Sequence, residues 1–231
     1  MKRSVFAFAI AGPLLLVQGA PAYGGADFGF DFVASEASSY NHATGGGSFN
    51  DRTINEDVVE SLEGDDFECG DIVTFLTQIT VDDGVVGDQT VVLTYGFTAH
   101  ATGQQGIALI DDSGAPPPDG LSAAINGSGI DSGTVDNANS VATVLSEVLL
   151  GTVFVKPATF VRVIQVTGLE ANETVVLRQD VQIVCNGNPP TGNMQAKLLA
   201  ATNNGNAIPG GTQTVPFKHV EGVKKPPPPP K

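Results

Sequence analysis

The stretch CGDIVTFLTQITV, residues Cys69–Val81, has a counterpart more than a hundred residues later in TVVLRQDVQIVC, residues Thr174–Cys185. Side chains of a β-strand alternate between two faces, and in both stretches the main apolar residues and the cysteine share one parity. These residues are Cys69, Val73, Phe75, Ile79 and Val81 in the first stretch and Val175, Leu177, Val181, Ile183 and Cys185 in the second. The pattern predicts two half-buried antiparallel strands whose thiols meet at one end of the core.

Cys69 and Cys185 are the only cysteines of the chain. An even number of cysteines in an exported protein favours pairing, so we expect one disulfide. Two free thiols or a metal pair are the alternatives, and a zinc site is disfavoured because no histidine lies nearby in the sequence. A disulfide that closes a loop of 116 positions stabilises the fold by about 4 to 5 kcal/mol on the chain-entropy estimate.

The first 22 residues have the pattern of a secretory signal peptide. Lys2 and Arg3 give a basic start, an apolar run extends over Val5–Val17, and Ala20–Ala22 forms a small-residue cleavage site. A membrane anchor is the alternative, but a bilayer requires about 20 apolar residues and Gly12-Pro13 interrupts this run. We therefore expect a secreted chain, extracellular or at the cell surface, with no membrane span once the leader is removed.

The charge and composition argue against a nucleic-acid-binding protein and favour an extracellular one. The 231 residues carry a formal net charge of -14, from 25 acidic and 11 basic residues. Nucleic-acid phosphates select surfaces rich in Lys and Arg, so this charge argues against a nucleic-acid partner. Abundant glycine, no tryptophan and only 16% charged residues are more typical of an extracellular structural protein than of a cytosolic enzyme.

Further short strands are predicted along the chain, separated by Gly, Pro and Asp turns. The strongest is 89–99, in which Val91, Leu93, Tyr95 and Phe97 alternate with polar residues. The others are 107–110, 141–150, 160–167, 194–200 and 212–217. Since almost no segment has a helical period, we predict an all-β fold, an immunoglobulin-like antiparallel β-sandwich with one disulfide.

Residues 23–50 combine a short strand with a tether. Phe28, Phe30 and Phe32 alternate with small or acidic residues, which predicts a strand with an aromatic face, and Ala34–Asn50 is rich in Ser, Gly and Ala. Two hypotheses remain open: an edge strand of its own domain, or a strand donated to a neighbouring copy of the chain. Under the second hypothesis the three phenylalanines mediate self-association.

The β-sandwich domain is predicted to cover residues 51–222. Near its start, Val58, Val59 and Leu62 fit either a helical turn or a strand. Asp111–Asn139 is a long region of turn residues, and loops of that kind are usually functional or mobile. Residues 223–231 contain five consecutive prolines, which predicts an extended polyproline tail because proline has no backbone donor for a sheet.

Gly70–Phe75 with the following Ile79–Val81, and the later Gly168–Val175, form two matched pieces. They resemble the opening and closing strands of the immunoglobulin-like conserved repeat of bacterial and archaeal cell-surface proteins. The resemblance covers residues 69–185 and implies a stalk or adhesion module without catalysis. The chain departs from the repeat at Asp82-Asp83-Gly84, where the repeat has an asparagine turn, and in its cysteine pair.

No catalytic apparatus is expected, so we predict that the protein is not an enzyme. Of the three histidines, His42 lies in the tether and His219 next to the tail, where rigid positioning is poor. His100 follows a strong strand, but the chain has no Gly-x-Ser-x-Gly motif. A glycosidase needs only two carboxylates, but without tryptophan the chain offers few of the aromatic platforms that sugar sites commonly use.

Calcium is the one cofactor with some support in the sequence. It takes about six to eight oxygen ligands from flexible loops, and carboxylates recur at the predicted turns. The candidate ligands are Asp82, Asp83, Asp111, Asp112, Asp131 and Asp136. Aspartate is also a common turn residue, so solvated turns without a metal are the alternative.

Together these patterns predict a secreted, non-catalytic structural or adhesive protein of a cell surface or extracellular matrix. Its expected partners are further copies of itself, bound through the N-terminal strand, or another surface or matrix component. The alternative is a calcium-assisted glycan- or protein-binding module that uses the loop Pro116–Asn139.

Overall fold

The computed structural model describes residues 27–35, 58–101, 104–109, 128–130, 140–152, 155–185, 187–190 and 192–225. Within these ranges the chain forms fourteen β-strands and two 3-10 helices, Gly64–Asp66 and Val220–Gly222, with no α-helix. The strands build two sheets that enclose one main core, so the predicted all-β sandwich is confirmed. The predicted leader, most of the tether and the five prolines of the tail lie outside the described residues.

The first sheet contains the two strands on which the sequence argument rests. Its strands are β1 (Phe28–Ser35), β2 (Val58–Val59), β4 (Ile72–Val81), β7 (Ile107–Leu109), β8 (Ser128–Ile130) and β11 (Thr174–Ile183). Their order is β2-β1-β4-β11-β7, and β8 also pairs with β11. All of these pairs are antiparallel.

The second sheet contains the longest strands. They are β3 (Leu62–Glu63), β5 (Gln89–Ala101), β6 (Gln104–Gln105), β9 (Val141–Thr152), β10 (Val155–Leu169), β12 (Met194–Asn203), β13 (Asn206–Ala207) and β14 (Gln213–Lys218). The order is β3-β14-β12-β5-β10-β9, with β13 on β12 and β6 on β5. Only the short β3–β14 pair is parallel.

The two predicted antiparallel strands are confirmed as β4 and β11, and they are direct neighbours in one ladder, with Val73 opposite Val181 and Ile79 opposite Val175. The apolar residues that the alternation predicted to face inward belong to the main core. The register follows because a shift by one residue would turn every one of these side chains to the outer face. The strands are not simply half-buried, because Leu76 and Val176 on the opposite face are also fully buried.

The predicted disulfide between Cys69 and Cys185 is also confirmed, with the two Cα atoms 5.6 Å apart. Both cysteines pack against one end of the core. Beside them, the Gly70 amide donates to the Ile183 carbonyl over 2.8 Å, and the Ile183 amide donates to the Asp71 carbonyl over 2.9 Å. The disulfide therefore joins neighbouring strands of one sheet and not the two sheets to each other.

Three local expectations differ from the structure. Ala34 is not part of the tether, because β1 continues to Ser35 and Ala34 is fully buried. The predicted loop Asp111–Asn139 contains a short strand, β8, which pairs with β11. Val223, assigned to the tail, is 2% exposed, so the packed domain extends beyond residue 222.

Among the described residues, no helix combines the length and apolar character that crossing a bilayer requires.

Candidate functional site

Strand β1 lies near the outside of the first sheet. One side pairs with β4 from Phe28 opposite Val81 to Ala34 opposite Phe75. On its other side, the described strand pairing is limited to two residues of β2, opposite Ala34 and Ser35. Most of β1 therefore has one strand neighbour among the described residues, as the edge-strand hypothesis expects.

The aromatic face of β1 points into the core. Phe32 is 3% exposed, and its ring lies 5.7 Å from the ring of Phe75 and 5.7 Å from that of Tyr95. Phe28 and Phe30 are partly buried against the same core. The predicted self-association residues are therefore packed in the core of their own chain. A β1 strand from another copy would make the same contacts if it occupied this position.

A side chain of the second sheet holds the outer side of β1. Gln213, the first residue of β14, accepts a hydrogen bond from the Phe32 amide over 2.7 Å. The Gln213 Nε2 atom donates to the Phe30 carbonyl over 2.8 Å. One side-chain amide thus supplies the acceptor and the donor that a neighbouring strand would otherwise provide. We call this pair of bonds the Gln213 clamp.

The second sheet ends in β9, an edge strand with an unusual exposed surface. Among the described residues, five of the seven large apolar side chains that are exposed belong to this strand. They are Val141, Leu145, Val148, Leu149 and Leu150, with exposed fractions from 37% to 55%. We call these five residues the β9 surface.

The only charged residue of β9, Glu147, is paired with a buried arginine. Arg162 lies opposite Glu147 on β10; its side chain is fully buried, and its Nε atom donates to the Glu147 carboxylate. Arg162 also lies opposite Tyr95 on β5, whose hydroxyl is 2.7 Å from the Thr77 hydroxyl of the other sheet. Burial raises the pKa of Tyr95 far above its ordinary value, although the Thr77 bond and the Arg162 charge act in the opposite direction.

A second buried polar residue, Gln179, interrupts the apolar face of β11. It is fully buried, and neither its Nε2 nor its Oε1 atom has a hydrogen-bond partner in the described structure. Together with Arg162 it shows that the core is not uniformly apolar. In both strands the signal was available in the sequence, as a polar residue on the inward parity of a predicted strand.

The predicted calcium ligands do not come together in the described residues. Asp82 and Asp83 are exposed at the end of β4, and Asp111, Asp112, Asp131 and Asp136 lie outside the described residues. Within the described part of the chain, no group of three or more His, Cys, Asp or Glu side chains is placed to hold a metal.

His219 is the one histidine whose side-chain contacts are described. Its Nδ1 atom lies 2.8 Å from the Glu63 carboxylate, and both side chains are exposed. The hydrogen bond to Glu63 and the Glu63 charge raise the pKa of His219, and the same bond lowers the pKa of Glu63. A shallow groove of about 480 Å³ lies beside the pair, lined by Met194 and Phe217 among others. The arrangement is a surface ion pair at a groove.

No model of a known protein family matches the chain. A search of the curated proteins likewise finds no match. The resemblance to the immunoglobulin-like conserved repeat therefore stays a prediction, and the function has to be argued from the geometry.

Proposed function

We propose that the chain is an exported, non-catalytic structural or adhesive protein whose copies associate by exchanging strand β1. The observation that carries this proposal is the way in which β1 is held. Its contacts are the ladder to β4, two residue pairs with β2, the aromatic face in the core and the Gln213 clamp. On its other face, Val33 is buried in a second cluster with Val58, Leu76 and Val176. A β1 strand from a second copy would make the same contacts, so exchange costs few of them.

The chain length between β1 and the rest of the sheet permits such an exchange. Residues 36–57, 22 positions, separate Ser35 from Val58, and a linker of that length reaches at most about 75 Å. Because a β1 strand makes the same contacts within one chain and between chains, the balance depends on the effective concentration of the tethered strand. We expect closed monomers in dilute solution and exchanged assemblies where secretion concentrates the protein.

Export is supported by the leader pattern in residues 1–22 and by the Cys69–Cys185 disulfide, since such bonds persist in oxidising compartments. The structural or adhesive role is supported by the sandwich fold and by the resemblance to stalk and adhesion repeats. N-terminal sequencing of protein recovered outside the cell tests export, with Tyr23 as the expected first residue. A first residue of Met1 would contradict it.

Cysteine cross-linking between copies tests the exchange. Gly29 lies opposite Thr80, and a Cβ atom on Gly29 would be 3.7 Å from the Thr80 Cβ, a separation that suits a disulfide. Gly29→Cys and Thr80→Cys are prepared separately, concentrated together and oxidised. Exchange predicts covalent dimers that contain one copy of each variant, whereas strands that stay in their own chains give no mixed dimer.

The control uses a strand that exchange does not move. Thr174 of β11 lies opposite Thr80 on the other side of β4. A mixture of Thr174→Cys with Thr80→Cys should give no mixed dimer under the conditions that link Gly29→Cys to Thr80→Cys. Equal cross-linking in both mixtures would indicate random collision and would contradict strand exchange.

The Gln213 clamp predicts how fast the exchange occurs. Gln213→Met keeps the side-chain length but removes two hydrogen bonds, each contributing about 0.5–1.5 kcal/mol. Opening of β1 should become roughly 5- to 150-fold more frequent. Since Gln213 belongs to the accepting chain in both arrangements, the rate of mixed-dimer formation should rise while its final yield stays the same. An unchanged rate would show that the clamp does not limit exchange.

A further inference from the structure

The β9 surface is an exposed apolar patch at the edge of the second sheet. β9 has 12 residues and ends the second sheet, and β10 is the strand to which it is hydrogen-bonded among the described residues. β8 of the first sheet also contacts β9. Val148 is 49% and Leu150 55% exposed. An edge strand presents a row of backbone donors and acceptors that an added strand pairs with directly.

The apolar area continues from this edge onto the outer face of the second sheet. Val148 lies opposite Val161 of β10, and Leu150 lies opposite Thr159. Beyond β10, a Cβ atom on Gly96 would be 2.9 Å from the Leu199 Cδ1 atom and 3.4 Å from the Thr159 Cγ2 atom. Leu199, itself 41% exposed, therefore covers Gly96 and extends the patch to β12.

Sheet edges in natural proteins are usually protected by lysine, proline, bulges or inward-pointing charges. β9 contains no lysine and no proline, and its one charge, Glu147, is neutralised by Arg162. Two register shifts remain, one near Leu145 and one between Leu150 and Thr152, and the ladder between them is regular from Ser146 to Leu150. In the described part of the chain, no strand is hydrogen-bonded to the outer side of this segment.

We infer that the β9 surface is a two-fold interface at which β9 of a second copy adds antiparallel to this edge. A second copy suits this edge because its one charge is already paired. The net charge of -14 opposes contact between copies over most of their surfaces, whereas on β9 the single charged side chain, Glu147, forms an ion pair with Arg162 of its own chain. In a two-fold contact both copies use the same surface, so β9 of one copy would pair with β9 of the other. An edge without unpaired charge is complementary to itself in such a contact.

The size of the contact sets the expected affinity. A 12-residue strand is about 40 Å long, and a face about 10 Å deep offers at most about 400 Å² per copy. The total of about 800 Å² is below the roughly 1,600 Å² of a standard interface. The dimer should therefore be weak and should form with a dissociation constant in the micromolar to millimolar range.

The β9 interface does not require strand exchange. It rests on the proposed function only because it too assumes assembly from copies of one chain. The test uses the double variant Gly29→Cys with Thr80→Cys, oxidised within one chain so that β1 cannot leave. Sedimentation equilibrium of this locked protein up to about 1 mM should show a monomer–dimer equilibrium that stops at the dimer, because a two-fold contact closes.

Val148→Lys in the locked protein should weaken the dimer at least tenfold, because it places a charged side chain in the apolar contact once in each copy. Val86→Lys adds the same charge at an exposed residue of the turn between β4 and β5 and should leave the dimer unchanged. A locked protein that stays monomeric, or a dimer that Val148→Lys does not weaken, would overturn the inference. A locked dimer together with no mixed Gly29–Thr80 cross-link would support this interface and refute only strand exchange.

Discussion

Gln179 is a buried polar residue whose replacement measures the cost of an amide without hydrogen bonds in the core. Its side chain is fully buried on the inward face of β11, opposite Phe75 of β4 and on the same face as Leu177 and Val181. Both polar atoms of its amide are without a hydrogen-bond partner in the described structure. We predict that Gln179→Met makes the protein more stable, against the general trend that substitutions in a core destabilise it.

The magnitude follows from the cost of the buried amide. Burying an amide without a partner costs about 1–3 kcal/mol as judged from mutational data. Methionine is unbranched like glutamine and adapts to irregular gaps in a core, so the replacement leaves neither a large cavity nor a strong clash. The free energy of unfolding should therefore rise by about 1–3 kcal/mol, and the Tm by about 2–4 °C for each kcal/mol in a domain of this size.

Urea unfolding of the oxidised protein measures the change, and the slope of the transition serves as the check for two-state behaviour. Gln182→Met is the matched control, because Gln182 is also in β11 but its amide donates to the Gly70 carbonyl over 3.0 Å near the surface. The control should lose about 0.5–1.5 kcal/mol. If Gln179→Met instead lost more than about 1 kcal/mol at an unchanged slope, the amide would have a partner and the reasoning would be wrong.

Three further predictions concern the disulfide, the tyrosine between the sheets and the surface ion pair. Reduction of the disulfide, which spans 116 positions, should lower the free energy of unfolding by up to about 5 kcal/mol; an unchanged urea midpoint would contradict this. Tyr95→Phe leaves the Thr77 hydroxyl buried without its 2.7 Å partner and should cost about 1–3 kcal/mol in the same assay, whereas a neutral result would mean that Thr77 finds another partner. The His219–Glu63 pair should stabilise the fold most between about pH 4.5 and 6.5, because the histidine contribution is lost as the pH rises through its raised pKa and the glutamate contribution as the pH falls through its lowered one. An NMR titration should give a pKa above 6.5 for His219 that returns toward 6.5 in Glu63→Gln, and identical titrations in both proteins would refute the pair.

The two central strands and their inward faces could be predicted because alternation is a local property that the whole of a strand repeats. In β4 and β11 the same parity carries the core residues and leads to the cysteine at one end. A register of this kind has few alternatives, since a one-residue shift removes every one of these apolar side chains from the main core. The long β5 followed from the same argument, with Val91, Leu93, Tyr95 and Phe97 all fully buried.

The contacts that distinguish this sandwich from others were not predictable from local patterns. Gln213 lies within the predicted strand 212–217, and its role depends on two backbone atoms more than 180 positions away. Arg162 breaks the apolar parity of β10, but its partner Glu147 lies on a strand whose edge position only the sheet order reveals. The exposure of β9 likewise depends on which strand ends the sheet, and alternation within a strand carries no information about strand order.

Exchange of β1 and pairing at β9 differ in the existing contacts that must break before they form. This difference predicts which of the two forms first. Exchange of β1 requires the release of seven residue pairs with β4, two with β2 and the Gln213 clamp before any contact in trans is made. Among the described residues, pairing at the outer side of β9 displaces no strand that is hydrogen-bonded there. A weak β9 dimer would therefore form first and would hold two copies at a high local concentration. Within such a dimer, a released β1 strand is more often captured by the other copy than it is between free monomers. A strand that stays in its own chain at low concentration would therefore link two chains at high concentration.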